Sequence, residues 1–369
     1  MKIAMIRDTA VTAFLLATMC YAPSLNAQTG VQPSSHSPTV SSAAVFGLPE
    51  SKGPVEVRAG FHLLNINKID DESETVTFSG VLTLTWKDTR QAFDPAKDGV
   101  SEKLYQGAYQ FNEISPSWYP QATLVNASGM YESRAVLLRV KPDGTSTLTE
   151  AIEATSKVSL NMRKYPFDHQ RLEVVFQILG FDNGEVVLQT EPKSVSVDPT
   201  IIRLPQWALE GGGASIRTMG APYAGTLGVS SSFVVTMDVK RKSFFMLRLV
   251  VVPLFLIVML SWVVFWMDRS SLGDRMSVSF VGILTAVAYQ MVVSGDLPQI
   301  DYFTLMNGFL NLSLFLMCAT VVMNLVVGAA DKSGNLKLGD NIDRRCRWIF
   351  PCVYVGVLLI FTTIAFRYY

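Results

Sequence analysis

SLGDRMSVSFVGILTAVAYQMVVSG, residues 271–295, is uncharged from Met276 to Gly295 and is long enough to cross a bilayer as a helix. A charged pair, Asp274 and Arg275, precedes the uncharged part, and hydroxyl and amide side chains lie within it. A helix surrounded by lipid alone has no use for those groups. The sequence therefore predicts a membrane helix with one face turned towards something more polar than lipid.

A repeat of about 3.6 residues places seven residues of this segment on one stripe. The stripe consists of Asp274, Ser277, Val281, Leu284, Ala288, Met291 and Gly295. An acid and a hydroxyl at one end suit water or ions, and one helix does not enclose a pore, so the pattern predicts a ring of subunits around an aqueous path. Two alternatives stay open: Ser271 and Asp274 have capping-box spacing, and the stripe also fits packing inside a helical bundle.

Three more uncharged runs follow the same rule, so four transmembrane helices are predicted in a domain over 242–369. They are expected at about 244–267, 274–295, 302–330 and 347–367. Lys and Arg residues gather in the first and third connecting loops, and the second has none. Because positive charge marks cytoplasmic loops, both chain ends are expected to face outside a cell membrane, either an inner or a plasma membrane.

The start of the chain has the features of an exported protein. Residues 1–27 combine a basic start, an apolar core and Ala27 at a cleavage position, which predicts a signal peptide. A retained anchor and lipidation at Cys20 are the alternatives. Residues 28–54 are rich in Ser, Pro and Gly and predict a flexible leader. The exported region that follows contains no cysteine, so it is expected to be stable without disulfides.

Residues 55–241 have the pattern of an all-β domain. Alternating runs such as TVTFSGVLTLTW and SFVVTMDVK are separated by turn sequences such as KPDGT and FDNGE. Regularly spaced short strands favour two packed sheets. The predicted architecture is an all-β extracellular or periplasmic immunoglobulin-like sandwich, followed by a four-helix transmembrane bundle, in a pentameric ring.

Composition argues against several functions. The chain of 369 residues is 49% hydrophobic and has 31 basic and 31 acidic residues, without the basic excess of a nucleic-acid-binding protein. We recognise no nucleophile pair, metal-ligand cluster or phosphate-binding loop, and the glycine run EGGGAS lies among predicted strands. We therefore expect no enzyme activity, no cofactor and no metal site.

Five segments occur in the order that resembles the pentameric ligand-gated ion channels, the Cys-loop receptor superfamily. They are TLTWKDTRQAFDP, SPSWYPQATLVNASG, KYPFDHQRL, KRKSFFMLRLVVVPLFLIVMLSWVVFWMD and GDRMSVSFVGIL. The resemblance runs from about Val55 to Tyr369 and implies a pentamer, here a homopentamer, whose second membrane helices line the pore. Animal members close the KYPFDHQRL loop with two cysteines. Val158 and Leu172 hold those positions here, which resembles bacterial members.

The resemblance also implies roles along the stripe, which becomes the pore lining. Asp274 matches the inner acidic ring of cation-selective members and Ser277 the narrow polar ring, so these two are expected to select monovalent cations. Leu284 matches the gate. Val281 replaces a frequent hydroxyl and, with Ala288, extends the apolar gate, so a closed pore is expected to be dry over a longer stretch.

The resemblance further places the junction between the two domains at Asp71, Asp168 and Arg241, with Pro298 and Leu297 in the same layer. An arginine between two carboxylates makes charge-assisted hydrogen bonds, which strengthen in a partly dry interface. We expect this cluster to couple ligand binding to the membrane helices. Ordinary surface charge is the alternative.

The agonist is not identified by the sequence. Three positions of the aromatic cage found in animal receptors hold Val81, Val125 and Leu179, which disfavours a quaternary amine. The candidate ligand-binding residues are Tyr131, Phe181 and Tyr223. A small amine, another small molecule and protons stay open, and the proton-sensor candidates are His62 and His169.

The predicted function is a ligand-gated ion channel, selective for cations and opened by an extracellular small molecule or by protons. A non-conducting, membrane-tethered sensor or ligand-binding protein is the alternative, and the polar stripe with Asp274 favours conduction. The expected partners are further copies of the chain, monovalent cations, the agonist and membrane lipid, with no nucleic acid.

Overall fold

The chain folds into a β region followed by a helical region, as predicted. The computed structural model describes residues 47–107, 117–191, 195–199, 202–222, 228–268 and 271–368. The predicted signal peptide, most of the predicted leader and the ligand candidate Tyr223 lie outside the described residues.

The strands of the β region, within the described residues, are β1 (Val55–Asp70), β2 (Thr75–Lys87), β3 (Lys103–Gln106), β4 (Ala122–Leu124), β5 (Ala127–Val140), β6 (Thr145–Lys157), β7 (His169–Ile178), β8 (Val186–Gln189), β9 (Val195–Ser196), β10 (Trp207–Gly220) and β11 (Val229–Arg241). One sheet has the order β3-β5-β6-β2-β1-β8, with β9 also paired to β1, and the other has the order β10-β11-β7-β4. Neighbours are antiparallel, except that β8 and β9 run parallel to β1. The sequence pattern had not indicated β3, β4, β6 or β9.

Aromatic side chains from both sheets meet in the core between them. The ring of Phe61 on β1 lies 6.0 Å from that of Phe78 on β2 and 5.9 Å from that of Phe176 on β7, measured between centroids. The Phe176 ring in turn lies 6.3 Å from that of Phe233 on β11. Since side chains alternate across a strand, every second residue of β2 is buried towards this core. The sandwich is therefore closed by apolar contacts and not by disulfides.

The Trp86–Arg90 segment forms a buried corner of the sandwich. The Asp88 carboxylate accepts hydrogen bonds from Nε (2.9 Å) and Nη2 (2.8 Å) of Arg90, and Nη2 also donates to the carbonyl of Gly47 (2.9 Å). Burial alone would raise the pKa of Asp88, but the hydrogen bonds from Arg90 outweigh it and hold the pKa below its ordinary value. Gly47 and the buried Pro49, which the sequence places in a flexible leader, thus lie against the sandwich.

The helices are α1 (Phe244–Trp266), α2 (Leu272–Val293), α3 (Leu305–Lys332) and α4 (Leu336–Tyr368). Each is long and apolar enough to cross a membrane. The bounds of α2 and α3 differ from the predicted ones by two or three residues. The larger difference is α4, which begins at Leu336 instead of 347. Its first turns are charged, so a search for apolar runs misses them.

The proline of α1 lies at a contact with α2. Pro253 has no N–H to donate to the carbonyl of Leu249, and the helix widens into a π turn over Leu247–Val251 just before it. The hydroxyl of Tyr289 on α2 donates a hydrogen bond to the Leu249 carbonyl. The two helices are therefore joined at the turn that accommodates the proline.

Gly80 of β2 provides a test of the sandwich core. A Cβ atom at Gly80 would lie 2.3 Å from Cζ of Phe61. Because neighbouring rings hold Phe61 in place, we expect Gly80→Ala to destabilise the sandwich by about 1–3 kcal/mol. The measurement is thermal unfolding of the purified protein in detergent. Gly213→Ala is the matched control, since nothing lies within 4 Å of a Cβ there. Equal melting temperatures for the two variants would contradict this packing.

Candidate functional site

Helix α2 leaves one side uncovered in the single chain. All seven residues of the predicted stripe are exposed, and the exposed fractions of Leu284 and Met291 are 70% and 73%. The buried residues of the helix are Arg275, Ser279, Ala286 and Val293. The polar and apolar members of the stripe therefore lie together on a face that the rest of the subunit does not cover.

Helix α3 holds α2 through two side-chain amides. Asn324 Nδ2 donates to the hydroxyl of Ser279 (2.9 Å), and Gln290 Nε2 of α2 donates to the carbonyl of Leu310 (3.1 Å). These bonds lie near the two ends of α2. Together with the Tyr289 bond to α1, they fix the rotation of the helix and so the direction in which the stripe faces.

The inner end of the stripe does not have the geometry of a capping box. Ser271 is the N-cap residue, but its side chain accepts no hydrogen bond from the helix N–H groups. Its hydroxyl instead donates to the Asp274 carboxylate. Asp274 is exposed, in the first turn of α2, where the helix dipole favours a negative charge. The carboxylate is therefore available to the space beyond the subunit.

A buried arginine joins the sandwich to α1. Arg241, the last residue of β11, donates from Nε to Oδ1 of Asp168 (2.8 Å) and from Nη2 to Oδ2 of the same carboxylate (3.2 Å). Its Nη1 donates to Oδ2 of Asp71 (2.7 Å), in the loop between β1 and β2. The structure thus brings together the three residues that the resemblance placed at the junction.

Two aromatic rings complete the surroundings of the Arg241 guanidinium. The whole residue is only 4% exposed. The guanidinium carbon of Arg241 lies 4.0 Å from the ring centroid of Trp207 and 4.8 Å from that of Tyr165. Burial alone would lower the pKa of Arg241, but hydrogen bonds and charge from Asp168 and Asp71 outweigh it and raise the pKa. The arginine therefore stays charged although it is withdrawn from water.

A cleft of about 390 Å³ opens beside this cluster. Asp71 and Tyr165 of the sandwich line one side. Leu297 and Pro298 of the α2–α3 loop, together with Phe245 of α1, line the other. Pro298 therefore lines the same cleft as Asp71.

Tyr302 of the α2–α3 loop is a junction residue that the sequence did not indicate. Its hydroxyl accepts a hydrogen bond from the N–H of Met162 (2.9 Å) and donates to the carbonyl of Leu160 (3.2 Å). Both partners belong to the loop between β6 and β7, residues 158–168, which we call the signature loop. The N–H of Leu305 also donates to the carbonyl of Arg163 in that loop (3.0 Å). A tyrosine near a membrane boundary gives no local signal of such pairing.

The positions of the missing disulfide are filled by apolar side chains. Val158 and Leu172 are buried in the core of the sandwich, where they are 5% and 0% exposed. The signature loop includes a cis bond between Tyr165 and Pro166. Apolar burial and the bonds to Arg241 and Tyr302 therefore hold this loop in place.

The two ligand candidates within the described residues, Tyr131 and Phe181, belong to different parts of the sandwich. The hydroxyl of Tyr131, on β5, is buried without a hydrogen-bond partner among the described residues. Burial, followed by the charge of Glu150, raises the pKa of Tyr131. Phe181 follows β7 and packs edge-on against Trp118, 5.8 Å between centroids. Tyr223, outside the described residues, adds no geometry to this site.

The two histidine candidates differ in their surroundings. His62 is exposed on β1. Nδ1 of His169, beside Asp168 in sequence, lies 3.3 Å from Oε2 of Glu210 on β10. An acidic side chain therefore lies beside His169, the residue that follows Asp168.

Family comparisons agree with this geometry. The neurotransmitter-gated ion-channel ligand-binding domain matches residues 46–243, and the neurotransmitter-gated ion-channel transmembrane region matches residues 250–334. The β region and the first three helices thus correspond to two family regions in the expected order.

Several known proteins are similar to the chain over most of its length. A proton-gated ion channel of Gloeobacter violaceus is 26% identical over 321 residues, which cover 87% of this chain and 86% of that protein. The human γ-aminobutyric acid receptor subunit rho-3 is 24% identical over 277 residues, covering 73% of this chain and 57% of the subunit. The human rho-2 subunit is 23% identical over 312 residues, covering 83% of this chain and 64% of the subunit.

The family comprises ion channels that assemble as pentamers, and its members are not enzymes. Both of its regions are matched here, in chain order, by a two-sheet domain and four helices of membrane-spanning length. The chain is therefore a multi-pass membrane protein that belongs to the pentameric ligand-gated ion channels, the Cys-loop receptor superfamily, as a bacterial-type member without the loop disulfide.

Proposed function

We propose that five copies of this chain form a cation-selective channel, opened by a ligand that binds outside the membrane. The α2 helices surround the pore, and the stripe faces water. One observation carries the proposal: α2, with Gly295 just after it, exposes the entire stripe, which has a carboxylate at its inner end, while the opposite face of the helix is buried.

The exposed side of α4 provides a comparison with a lipid-facing surface. Its exposed side chains include Val355, Leu359 and Ile360, which suit hydrocarbon. The stripe of α2 includes Asp274 and Ser277, which are costly in lipid and are typical of an ion pathway. The contrast between the two helices supports water, and not lipid, in front of the stripe.

Ion selection is assigned to the inner mouth. Five copies of Asp274 form a ring of negative charge that concentrates cations and repels anions. The hydroxyls of Ser277 lie one helical turn from Asp274 towards the middle of the membrane. They replace part of the water around a passing monovalent cation. The proposed selectivity rests on these two rings.

The gate is assigned to the apolar middle of the stripe, formed by Val281, Leu284 and Ala288. A narrow ring of such side chains excludes water and so stops ions without blocking the path physically. Leu284 is 70% exposed in the single chain and Val281 is 63% exposed, so both side chains are free to face the proposed pore. A small rotation or tilt of α2 would widen this ring and wet it.

Coupling is assigned to Arg241, with Asp71, Asp168 and Pro298. The guanidinium links the β1–β2 loop and the signature loop to the start of α1. Residues of the α2–α3 loop line the adjoining cleft. A movement of the sandwich would therefore reach α1 directly and α2 through its outer loop.

The agonist is a small amine, another small molecule or a proton. One relative is named as a proton-gated channel and others as γ-aminobutyric acid receptor subunits. For a small molecule, the candidate contacts are Tyr131, Phe181 and Tyr223. For protons, His169 is the better placed histidine, because it follows Asp168 at the junction and its Nδ1 lies 3.3 Å from Oε2 of Glu210.

Reconstitution into planar bilayers tests the proposed function. Currents are recorded during pH steps and during a screen of small amines, and the reversal potential is measured in a NaCl gradient. We expect ligand-dependent current that reverses near the Na⁺ equilibrium potential. A protein that binds ligand but never conducts would support the tethered sensor instead.

Neutralising the inner ring is expected to weaken cation preference. Asp274→Asn removes five negative charges from the mouth, so the Na⁺ to Cl⁻ permeability ratio should fall by about tenfold or more. The measurement is the reversal potential in the NaCl gradient. Asp340→Asn removes an exposed carboxylate of α4 as the control. An unchanged ratio in Asp274→Asn would rule out the ring assignment.

Making the gate polar is expected to open the pore without ligand. Leu284→Ser lets water enter the apolar segment, so current should appear without ligand. The ligand concentration for half-activation should fall by about tenfold or more. Val278→Ser is the control, because Val278 is exposed on α2 but off the stripe. A tightly closed Leu284→Ser channel would place the gate elsewhere.

Weakening the junction is expected to impair gating and leave the pore intact. Arg241→Lys keeps the charge but loses the planar fork that binds both carboxylates, so half-activation should need about tenfold more ligand. Single-channel conductance and reversal potential should not change. Arg171→Lys is the control, since Arg171 pairs with Asp238 at the surface (2.8 Å). Normal activation of Arg241→Lys would argue against the coupling role.

A further inference from the structure

Arg275 lies one residue from the proposed selectivity ring and carries the opposite charge. One step along an α-helix turns a side chain by about 100°. Asp274 is accordingly exposed, while Arg275 is buried and only 1% exposed. Rotation alone moves the cation off the stripe but does not remove its electric field. Inside a protein, screening is weak, so an uncompensated guanidinium at this depth would oppose the field of Asp274.

Asp343 of α4 faces that guanidinium. Nη2 of Arg275 donates to Oδ1 of Asp343 (2.8 Å), and Nη1 donates to Oδ2 (3.2 Å), so the two groups pair through both oxygens. The side chains of Arg275 and Asp343 are 1% and 6% exposed. A bidentate ion pair that is shielded from solvent has a fixed geometry, and its two opposite charges cancel at short range.

The acidic partner stands out from its sequence surroundings. Asp343 is followed by Arg344 and Arg345, which are exposed, while Asp343 is buried against α2. Nε of Arg347, one turn further, donates to the carbonyl of Phe265 at the end of α1 (3.0 Å). At the inner part of α4, the Asp343 carboxylate therefore faces α2, while the neighbouring arginines are exposed or contact α1.

Contacts from α3 fix the same end of α2. The hydroxyl of Ser279 donates to the carbonyl of Arg275 (3.0 Å) and accepts from Asn324. A Cβ atom at Gly328 would lie 2.7 Å from a Cδ atom of Leu272, so the helices are in close contact there. With the backbone held in this way, Asp343 sets where the Arg275 charge rests.

We propose that Asp343 is a positioning residue for ion selectivity: it binds and neutralises Arg275 behind the pore wall, so that permeating ions experience the Asp274 ring alone. The inference rests on the proposed cation conduction and adds a residue from α4, which does not line the pore. It predicts that removing the Asp343 charge alone lowers the cation preference, whereas removing the Arg275 charge alone does not.

Three variants of the full-length channel test this by reversal potential in a NaCl gradient. Asp343→Asn leaves Arg275 uncompensated, so the Na⁺ to Cl⁻ permeability ratio should fall about threefold or more. Arg275→Gln leaves Asp343 uncompensated, so the ratio should stay at the wild-type value or rise. Combining the two substitutions removes both charges and should restore the ratio to within about twofold of wild type. Reversal potential reports the open pore and does not depend on channel number or open probability.

A purely structural role gives a different pattern. Reduced stability or altered gating in Asp343→Asn, with an unchanged permeability ratio, would overturn the inference. A fall in the ratio for Arg275→Gln, or no recovery in the combined variant, would overturn it as well. If Asp343→Asn yields no channel, the permeability ratios of Arg275→Gln and of the combined variant still test the inference. An anion-selective or non-conducting wild type would refute the proposed function itself. A fall in the ratio for Asp274→Asn together with an unchanged ratio for Asp343→Asn would refute only the role of Asp343.

Discussion

Arg241 is a charged side chain held almost entirely out of water at the point where the last strand gives way to the first helix. Withdrawing a guanidinium from water is costly, and the cost is offset when opposite charges and hydrogen bonds are well placed. Asp168 and Asp71 provide those bonds, and Trp207 and Tyr165 provide ring faces. Because these partners come from separate loops and strands, their positions relative to α1 are fixed together. Moving any one of them leaves a buried charge without its full set of partners.

The signature loop takes part in a second connection that does not involve Arg241. Its backbone binds the hydroxyl of Tyr302 and the N–H of Leu305, at the outer end of α3. One loop therefore contacts both the arginine that precedes α1 and the segment that links α2 to α3. A shift of this loop as a unit would act on α2, the proposed pore helix, from two directions, which a single ion pair would not achieve. In the proposed coupling, the α2–α3 loop would therefore act alongside the charged residues Asp71, Asp168 and Arg241.

Local patterns explain how much of this could be predicted. The period of the α2 stripe and the length of the apolar runs were sufficient to predict the four helices. The family resemblance placed Asp71, Asp168 and Arg241 at the junction between the domains. Strand β6 was missed because its outward residues are polar and several inward ones are small. The first turns of α4 were missed because they are charged. Tyr302 and Asp343 act through partners that are more than sixty residues away in sequence, and such pairings leave no periodic trace in one chain.

The polar groups within α2 divide into two sets, and this division accounts for their presence in an uncharged span. One set bonds to protein atoms and consists of Ser279, Thr285, Tyr289, Gln290 and Ser294. The Thr285 hydroxyl, for example, donates to the carbonyl of Val281 (2.8 Å), so it is less available to bind water at the level of the proposed gate. The other set is at the inner end. Ser277 has no hydrogen-bond partner among the described residues, and the exposed Asp274 carboxylate accepts a hydrogen bond from the neighbouring Ser271 hydroxyl. An ion moving inwards past Leu284 would therefore lose hydration across an apolar ring and regain oxygen ligands at Ser277 and Asp274.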